Sequence, residues 1–261
     1  IIYKRKEEGR FLPDFRSRLE VGVSSPKMMK KIFLDKGHGG NDPGAVANGL
    51  QEKVLTHKIV EYATDYLAAH YEGFTQRVSR EGDQSLTLDQ RADMANKWGA
   101  DVFVSVHINA GKGTGFETYV YNGGVSSQTV ALQNVLHGEI LAAMRQFGNI
   151  TDRGKKRANY AVLRETKMPA VLTENLFIDS NDAKYLKNEA FLKAVGEAHA
   201  RGVAKFLGLP QKTKLQPEPK PQQKVSDGKL YRVQVGSFSD RKNAERLAEE
   251  LKKKGYPTII V

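Results

Sequence analysis

The sequence predicts an α/β domain followed by a small C-terminal β-α-β unit, on three observations. Between residues 29 and 207, short apolar runs of strand length alternate with longer stretches whose apolar residues recur at three- and four-residue steps. A domain of that size buries roughly 70% of its unfolded surface, so it needs no covalent staple. After it comes a proline-rich stretch, and then about thirty residues with one strand–helix–strand signature.

The elements follow in order. Residues 1–28 lack a starting methionine, show no sustained periodicity, and contain neither an apolar core of signal-peptide length nor a small-residue cleavage site. They read as an extension, disordered or foreign to the mature protein, because Lys27-Met28-Met29-Lys30 offers a natural start. In the domain, Ile32–Leu34, Phe74–Val78, Val102–Ile108, Phe116–Tyr121 and Ala170–Thr173 suit strands. Between them lie helical patterns at residues 54–71, 86–100, 126–147 and 189–208. In the first of these, Leu55, Ile59, Tyr62, Ala63, Tyr66 and Leu67 share one face. Residues 208–228 hold Pro210, Pro217, Pro219 and Pro221 among Lys and Gln, a linker that reaches roughly 60 Å at ~3.1 Å per residue. Residues 229–261 give "LYRVQVGSF", the helix-period "DRKNAERLAEELKKKG", and "YPTIIV".

Composition narrows the chemistry. With 39% hydrophobic and 27% charged residues, the chain has the make-up of a globular protein, and no apolar run approaches the eighteen or so residues that cross a bilayer. There is no cysteine, so thiolate catalysis and cysteine-ligated zinc are excluded and any metal sits on histidine and carboxylate. The net charge of +11 is uneven. Residues 29–207 carry 22 Lys/Arg against 20 Asp/Glu, whereas residues 208–261 carry 12 against six. A basic tail favours polyanionic partners such as wall polymers. The near-neutral domain has no stacking motif with interleaved cations, which argues against nucleic acid.

The candidate site begins in "KKIFLDKGHGGNDPGA", residues 30–45, where a strand empties into a loop with four glycines and His38. His107 closes the most strand-like run, "DVFVSVHINAG", and Glu174 terminates another, "MPAVLTENLF". Strand ends of α/β sheets open into crevices lined by loops. Glu52 opens the first long helix and can point back toward the glycine loop. Two imidazoles and a carboxylate suit Zn²⁺ with one position left for water, so His38, Glu52 and His107 are the proposed ligands. Glu174 is then the candidate to accept the water's proton and pass it to a leaving amine. His57, His70, His137 and His199 lie in helical patterns and read as surface or interfacial residues. On the residues alone, a zinc carboxypeptidase or deacetylase is an equal reading of this set.

"IFLDKGHGGNDPGA", "LQEKVL", "SVHINAG", "GFETYVY" and "VLRETKMPAVLTENLFIDSNDAKYL" together resemble the amidase-3 family of zinc-dependent N-acetylmuramoyl-L-alanine amidases, over residues 31–207. The resemblance implies a twisted, mostly parallel sheet flanked by helices. It also implies hydrolysis of the amide between N-acetylmuramic acid and L-alanine in peptidoglycan, with zinc on His38, Glu52 and His107 and catalysis by Glu174. Two positions depart from the family: Lys36 stands where proline is usual, and Asn175 where glycine is usual. Lys36 is expected to repel the ion slightly or to be solvated, and Asn175 to stiffen the backbone beside Glu174.

The segment "YRVQVGSFSDRKNAERLAEELKKKGYPTIIV" is similar to the sporulation-related (SPOR) repeat, which implies binding to glycan strands. It supplies one β-α-β half of that fold, so it reads as a partial repeat with unpaired edges. This pairing of domains implies a wall-lytic autolysin of spore formers or a phage lysin, acting at the cell wall after release by lysis, a holin or another route. A non-catalytic wall-binding module is the competing reading, and the intact four-residue constellation counts against it. Several further residues carry weaker expectations. Asp35 is a candidate partner for His38, with capping of a strand-end turn at least as good a reading. Asn109 and Arg164 flank the site and can contact substrate, with ordinary hydrogen bonding the favoured reading. Glu117 reads as a strand residue, and "DRGKKRANY" (152–160) as a solvated cationic loop that can meet the anionic peptide stem.

Overall fold

The computed structural model describes residues 29–212 and, further on, 236, 238, 240–256, 258 and 260. The extension expected over 1–28 and most of the linker lie outside the described residues. The chain divides between Lys212 and Thr213 into two compact units.

The first unit is built on strands β1 (Lys30–Lys36), β2 (Val46–Ala47), β3 (Leu50–Gln51), β4 (Phe74–Val78), β5 (Val102–Asn109), β6 (Phe116–Tyr121), β7 (Asp152–Ala158) and β8 (Ala170–Phe177). Its long helices are α1 (Glu52–His70), α2 (Leu88–Trp98) and α3 (Ser127–Met144), and after them α6 (Glu189–Leu207); α4 (Ala161–Arg164) and α5 (Ala183–Leu186) are single turns. Six strands form one sheet in the order β4-β1-β5-β8-β6-β7. All its pairings are parallel except β6 with β8. β2 and β3 make a separate antiparallel hairpin within the loop that leads to α1.

Strand alternation divides the core. Ile32, Leu34, Val102, Val104 and Val106 face a layer made of α1, α3 and α6, which contributes Leu55, Ile59, Leu132, Leu136, Phe191 and Val195. Phe33, Phe103, Ala170 and Leu172 face Ala95 of α2 and Val162 and Leu163 of α4. Helix ends follow local chemistry. Thr87 and Gln90 form a reciprocal capping box at the start of α2, and Gly99 closes it at φ 70°. Gly208 ends α6 at φ 62°, where the periodicity predicts its end.

Two expectations give way. The cationic segment from Asp152 is strand β7 rather than a loop. Its alternation is of charged residues at a sheet edge, where solvent-facing charge guards against pairing with another chain, so no apolar rhythm marks it. Residues 209–212 are held as part of the first unit. Leu209 is buried, Glu72 N–H donates to the Pro210 carbonyl at 3.0 Å, and Lys212 N–H donates to the His70 carbonyl at 2.8 Å. In the second unit, α7 (Arg241–Lys253) is capped by Asp240, whose carboxylate accepts the Lys242 N–H at 2.8 Å. The strands expected on either side of it lie largely outside the described residues.

Two of the histidines read as surface or interfacial are buried. His137 bridges Thr118 and Asp152, at 3.0 and 2.9 Å. His199, in α6, is sealed between the Val195 carbonyl (2.8 Å) and the Thr173 hydroxyl (3.0 Å). Burial pushes the His199 imidazole down to about 4, so it stays neutral in the fold. The unfolded chain, with an ordinary imidazole near 6.5, binds the proton more readily, so this residue's contribution is complete above pH ~6.5 and is lost as pH falls toward 4. His199→Gln removes that slope. In urea unfolding, the stability advantage of wild type over the variant is expected to shrink by roughly 3 kcal/mol from pH 7 to pH 4. Parallel stability curves would refute the assignment.

Candidate active site

The site lies at the carboxyl ends of β1, β5 and β8. β1 runs out at Lys36, and the chain turns through Gly37 into His38, whose φ of 61° is in the left-handed region. Asp35 and Arg91 hold this turn from beneath. The buried Asp35 carboxylate accepts from Arg91 Nη1 at 2.8 Å and from the Ser105 hydroxyl at 2.6 Å. The same guanidinium donates to the carbonyls of Lys36 (2.6 Å) and His38 (2.7 Å). Asp35 therefore acts through Arg91 on the backbone of the turn at His38 and not on its ring, which is the turn-holding one of its two sequence readings. The ring's partner is Asp42, whose carboxylate lies 2.8 Å from His38 Nδ1. That bond fixes the tautomer so that Nε2 is free to act as a ligand.

Glu52 opens α1 and is buried. Its Oε1 lies 3.1 Å from His38 Nε2 and 3.0 Å from His107 Nδ1, and accepts the Ile108 N–H at 2.9 Å. Its Oε2 accepts the Ala45 N–H at 2.9 Å. The two imidazoles meet edge to face, with centroids 4.9 Å apart. Gly37 and Gly44 make room for them. A Cβ at Gly37 would stand 2.6 Å from His107 Cε1, and one at Gly44 2.6 Å from both Glu52 Oε2 and His38 Cδ2.

His107 pairs in register with Glu174 across β5 and β8, just before an irregularity between His107 and Asn109 that re-aims the strand. Glu174 Oε2 is buried and has no hydrogen-bond partner among the described residues. Burial pushes its carboxyl up to about 7; His107 opposes the shift, while the Glu52 and Glu117 carboxylates add to it. Burial would also raise Glu52, but His107 and His38 outweigh it and hold that carboxyl far below its ordinary range. At His38, burial alone would lower the imidazole; Glu52 and Asp42 outweigh that and raise it to about 9.

Among the described residues, His38, Glu52 and His107 offer ligand atoms that all lie within 4.8 Å of one another. A tetrahedral zinc with bonds near 2.0–2.1 Å spaces its ligands ~3.3 Å apart, close to the two separations seen here. Without a cation, these basic imidazoles hold protons against the buried carboxylate, and a divalent ion would take the place of those protons. The donor set therefore fits a metal.

The sequence reading of Lys36 changes, whereas Asn109 and Arg164 make ordinary hydrogen bonds, their favoured reading. Lys36 is fully buried, neither solvated nor turned to the site; its ammonium pairs with Glu61 of α1. Asn109 donates to Glu117 at 2.7 Å. Arg164 binds Asn159 and Glu165 at 2.6 and 2.7 Å. Asn175, at the family's usual glycine position, is buried; its Nδ2 donates to the His107 carbonyl at 2.9 Å and to the Thr173 hydroxyl at 3.0 Å, and the left-handed backbone falls one residue on, at Leu176 (φ 71°). Asp42 and Arg91 were not singled out from the sequence. Asp42, four residues from His38, is the one that spacing alone offers as a partner.

A mostly parallel α/β sheet that gathers two imidazoles and two carboxylates near the carboxyl ends of its strands defines an α/β protein with a centre whose residues could hold a metal ion. The family model described as N-acetylmuramoyl-L-alanine amidase matches residues 32–205, and a SPOR domain model matches residues 212–261. The chain belongs to the N-acetylmuramoyl-L-alanine amidase family, and its activity is that of a hydrolase of this family. It is 43% identical over 234 residues to the sporulation-specific N-acetylmuramoyl-L-alanine amidase of Bacillus subtilis strain 168, covering 89% of this chain and 85% of that one. It is 47% identical over 216 residues to the endolysin of Bacillus phage SPP1, covering 82% and 79%. The catalytic domain of an N-acetylmuramoyl-L-alanine amidase from Bacillus (Paenibacillus) polymyxa superposes with a TM-score of 0.64 at 31% identity, covering 70% of this chain and all of that one.

Proposed function

We propose that the protein hydrolyses the amide between N-acetylmuramic acid and L-alanine in peptidoglycan with zinc held by His38, Glu52 and His107, and with Glu174 as the group that carries the proton. The observation that carries this reading is the buried, unpartnered Oε2 of Glu174 on the strand beside His107. When bound, zinc supplies Lewis acidity, which acidifies a water and polarises the amide carbonyl. Glu174 takes the water's proton, a task suited to a carboxyl near 7, and delivers it to the departing L-alanine nitrogen. Asp42 keeps His38 in the tautomer that presents Nε2, and the Asp35–Arg91 pair holds the turn that carries it. The left-handed backbone at His38 places strain at the site, where the bonds from Arg91 to the Lys36 and His38 carbonyls sustain it.

The basic C-terminal unit, over which the SPOR model matches, supports retention of the enzyme on glycan strands and so a location at the cell wall. The organisation is part of this proposal: an extension over 1–28, a catalytic domain from residue 29 that holds 209–212 as well, and beyond Lys212 a linker leading to a SPOR-like repeat over 229–261. The zinc-loaded protein incubated with purified wall is expected to release stem peptides that begin with free L-alanine, identified by mass spectrometry, and a chelator is expected to abolish the release. Peptides cut at any other bond would overturn the assignment.

A further inference from the structure

Beside the catalytic row, the sheet carries a second constellation whose side chains neither hold the metal nor take the proton in the proposed hydrolysis. His107 on β5 pairs with Glu174 on β8, Glu174 with Glu117 on β6, and Glu117 with Gly154 on the edge strand β7. Glu117 is buried, and its acceptor capacity is filled. Oε1 accepts from Asn109 Nδ2 (2.7 Å) and the Tyr119 hydroxyl (2.9 Å), and Oε2 from Arg153 Nε (2.8 Å) and the Lys156 ammonium.

Two cations on one carboxylate leave a positive charge over. It faces outward, because the side chains of Arg153 and Lys156 are 33% and 36% exposed while that of Glu117 is 3% exposed. Both cations are also pinned on rings: Arg153 lies 4.8 Å from the Phe177 centroid and Lys156 lies 5.9 Å from that of Tyr119. Pinned cations lose little freedom when they bind an anion. Their neighbours on β7 are different. Lys155 bonds Asn134 and Arg157 bonds the Gly123 carbonyl, as ordinary edge-strand charges do.

We propose that Arg153 and Lys156, seated on Glu117, form an anchoring subsite for a carboxylate of the stem peptide and so determine which stems are cut. The proposal deepens, and rests on, the amidase reading. β7 stands two strand spacings, about 10 Å, from the strand of Glu174. An extended peptide advances ~3.3–3.6 Å per residue, so the anchored carboxylate belongs to the second or third residue of the stem.

The test uses the full chain loaded with zinc and two soluble N-acetylmuramoyl tripeptides beginning with L-alanine. They differ only in whether the carboxyl groups of residues two and three are free or converted to primary amides. Wild type is expected to cut the free acid with a KM about tenfold lower, a preference that shrinks as salt rises. Arg153→Gln and Lys156→Gln, each leaving one cation on Glu117, are expected to lose most of that preference by raising KM for the acid, with kcat, KM for the amide and zinc content unchanged. Lys156→Arg is expected to restore it. Equal efficiency of wild type on both peptides overturns the subsite, as does a loss of kcat on both peptides in the two Gln variants, which marks a purely structural role. If both Gln variants fail to fold, a wild-type preference for the acid that is unmoved by 1 M salt also overturns it. Failure of the amidase reading looks different: wild type then releases no L-alanyl amine from either peptide.

Discussion

Glu174→Gln is expected to lower kcat on purified wall by about 10²–10⁴-fold while zinc content stays at one ion per chain. The substitution keeps the size and one acceptor of the side chain but removes its ability to take a proton. Its effect on the fold is expected to be small, because the Oε2 it replaces has no partner to lose among the described residues. Glu174 is not among the three residues whose ligand atoms converge, so metal should be retained. The measurement pairs release of free amino groups, by rate, with metal content by atomic emission. Undiminished kcat would remove Glu174 from the mechanism. Loss of both kcat and metal would make it a ligand.

How this site came to be legible in the sequence has a physical explanation. His38 just past β1 and His107 near the end of β5 were legible because apolar runs that pack on both faces must stop where the sheet meets solvent, and polar groups mark the stop. Glu174, read as terminating its run, lies inside β8, which continues to Phe177. Glu52 was legible because it opens a periodic helix beside a glycine loop. What the sequence concealed is the support. Arg91 lies on the buried side of α2, fifty-six residues from its carboxylate partner Asp35, and no local pattern announces a pairing at that range. β7 was read as a loop because periodicity methods weigh apolar residues and it has almost none. Lys36 was read as a cation that repels the ion slightly or is solvated, because lysine is mostly exposed. Its burial follows from strand alternation, which turns it to the same side as Ile32 and Leu34, and from Glu61 on α1, which supplies the counter-charge there.

His107→Ala removes a different part of the machine. With two ligands left, affinity for zinc is expected to fall by more than the 10–100-fold that a merely supporting partner costs, so the purified variant should carry almost no metal and show no measurable turnover. A thermal readout separates this from general damage. An ion that binds the folded chain raises its stability by RT ln(1 + [L]/Kd), about 4 kcal/mol at a thousandfold excess over Kd. Wild type should therefore melt at a clearly lower temperature after chelation and recover with added zinc. His107→Ala should melt at one temperature in either condition. The variant also strips Glu52 Oε1 of one of its two imidazoles, leaving His38 and the Ile108 N–H on it, so its metal-free form is expected to be somewhat less stable than metal-free wild type. Equal zinc content in wild type and variant, or an equal zinc-induced rise in melting temperature, would mean that the ion is held elsewhere and that the convergence on Glu52 serves only to bury a carboxylate between two bases.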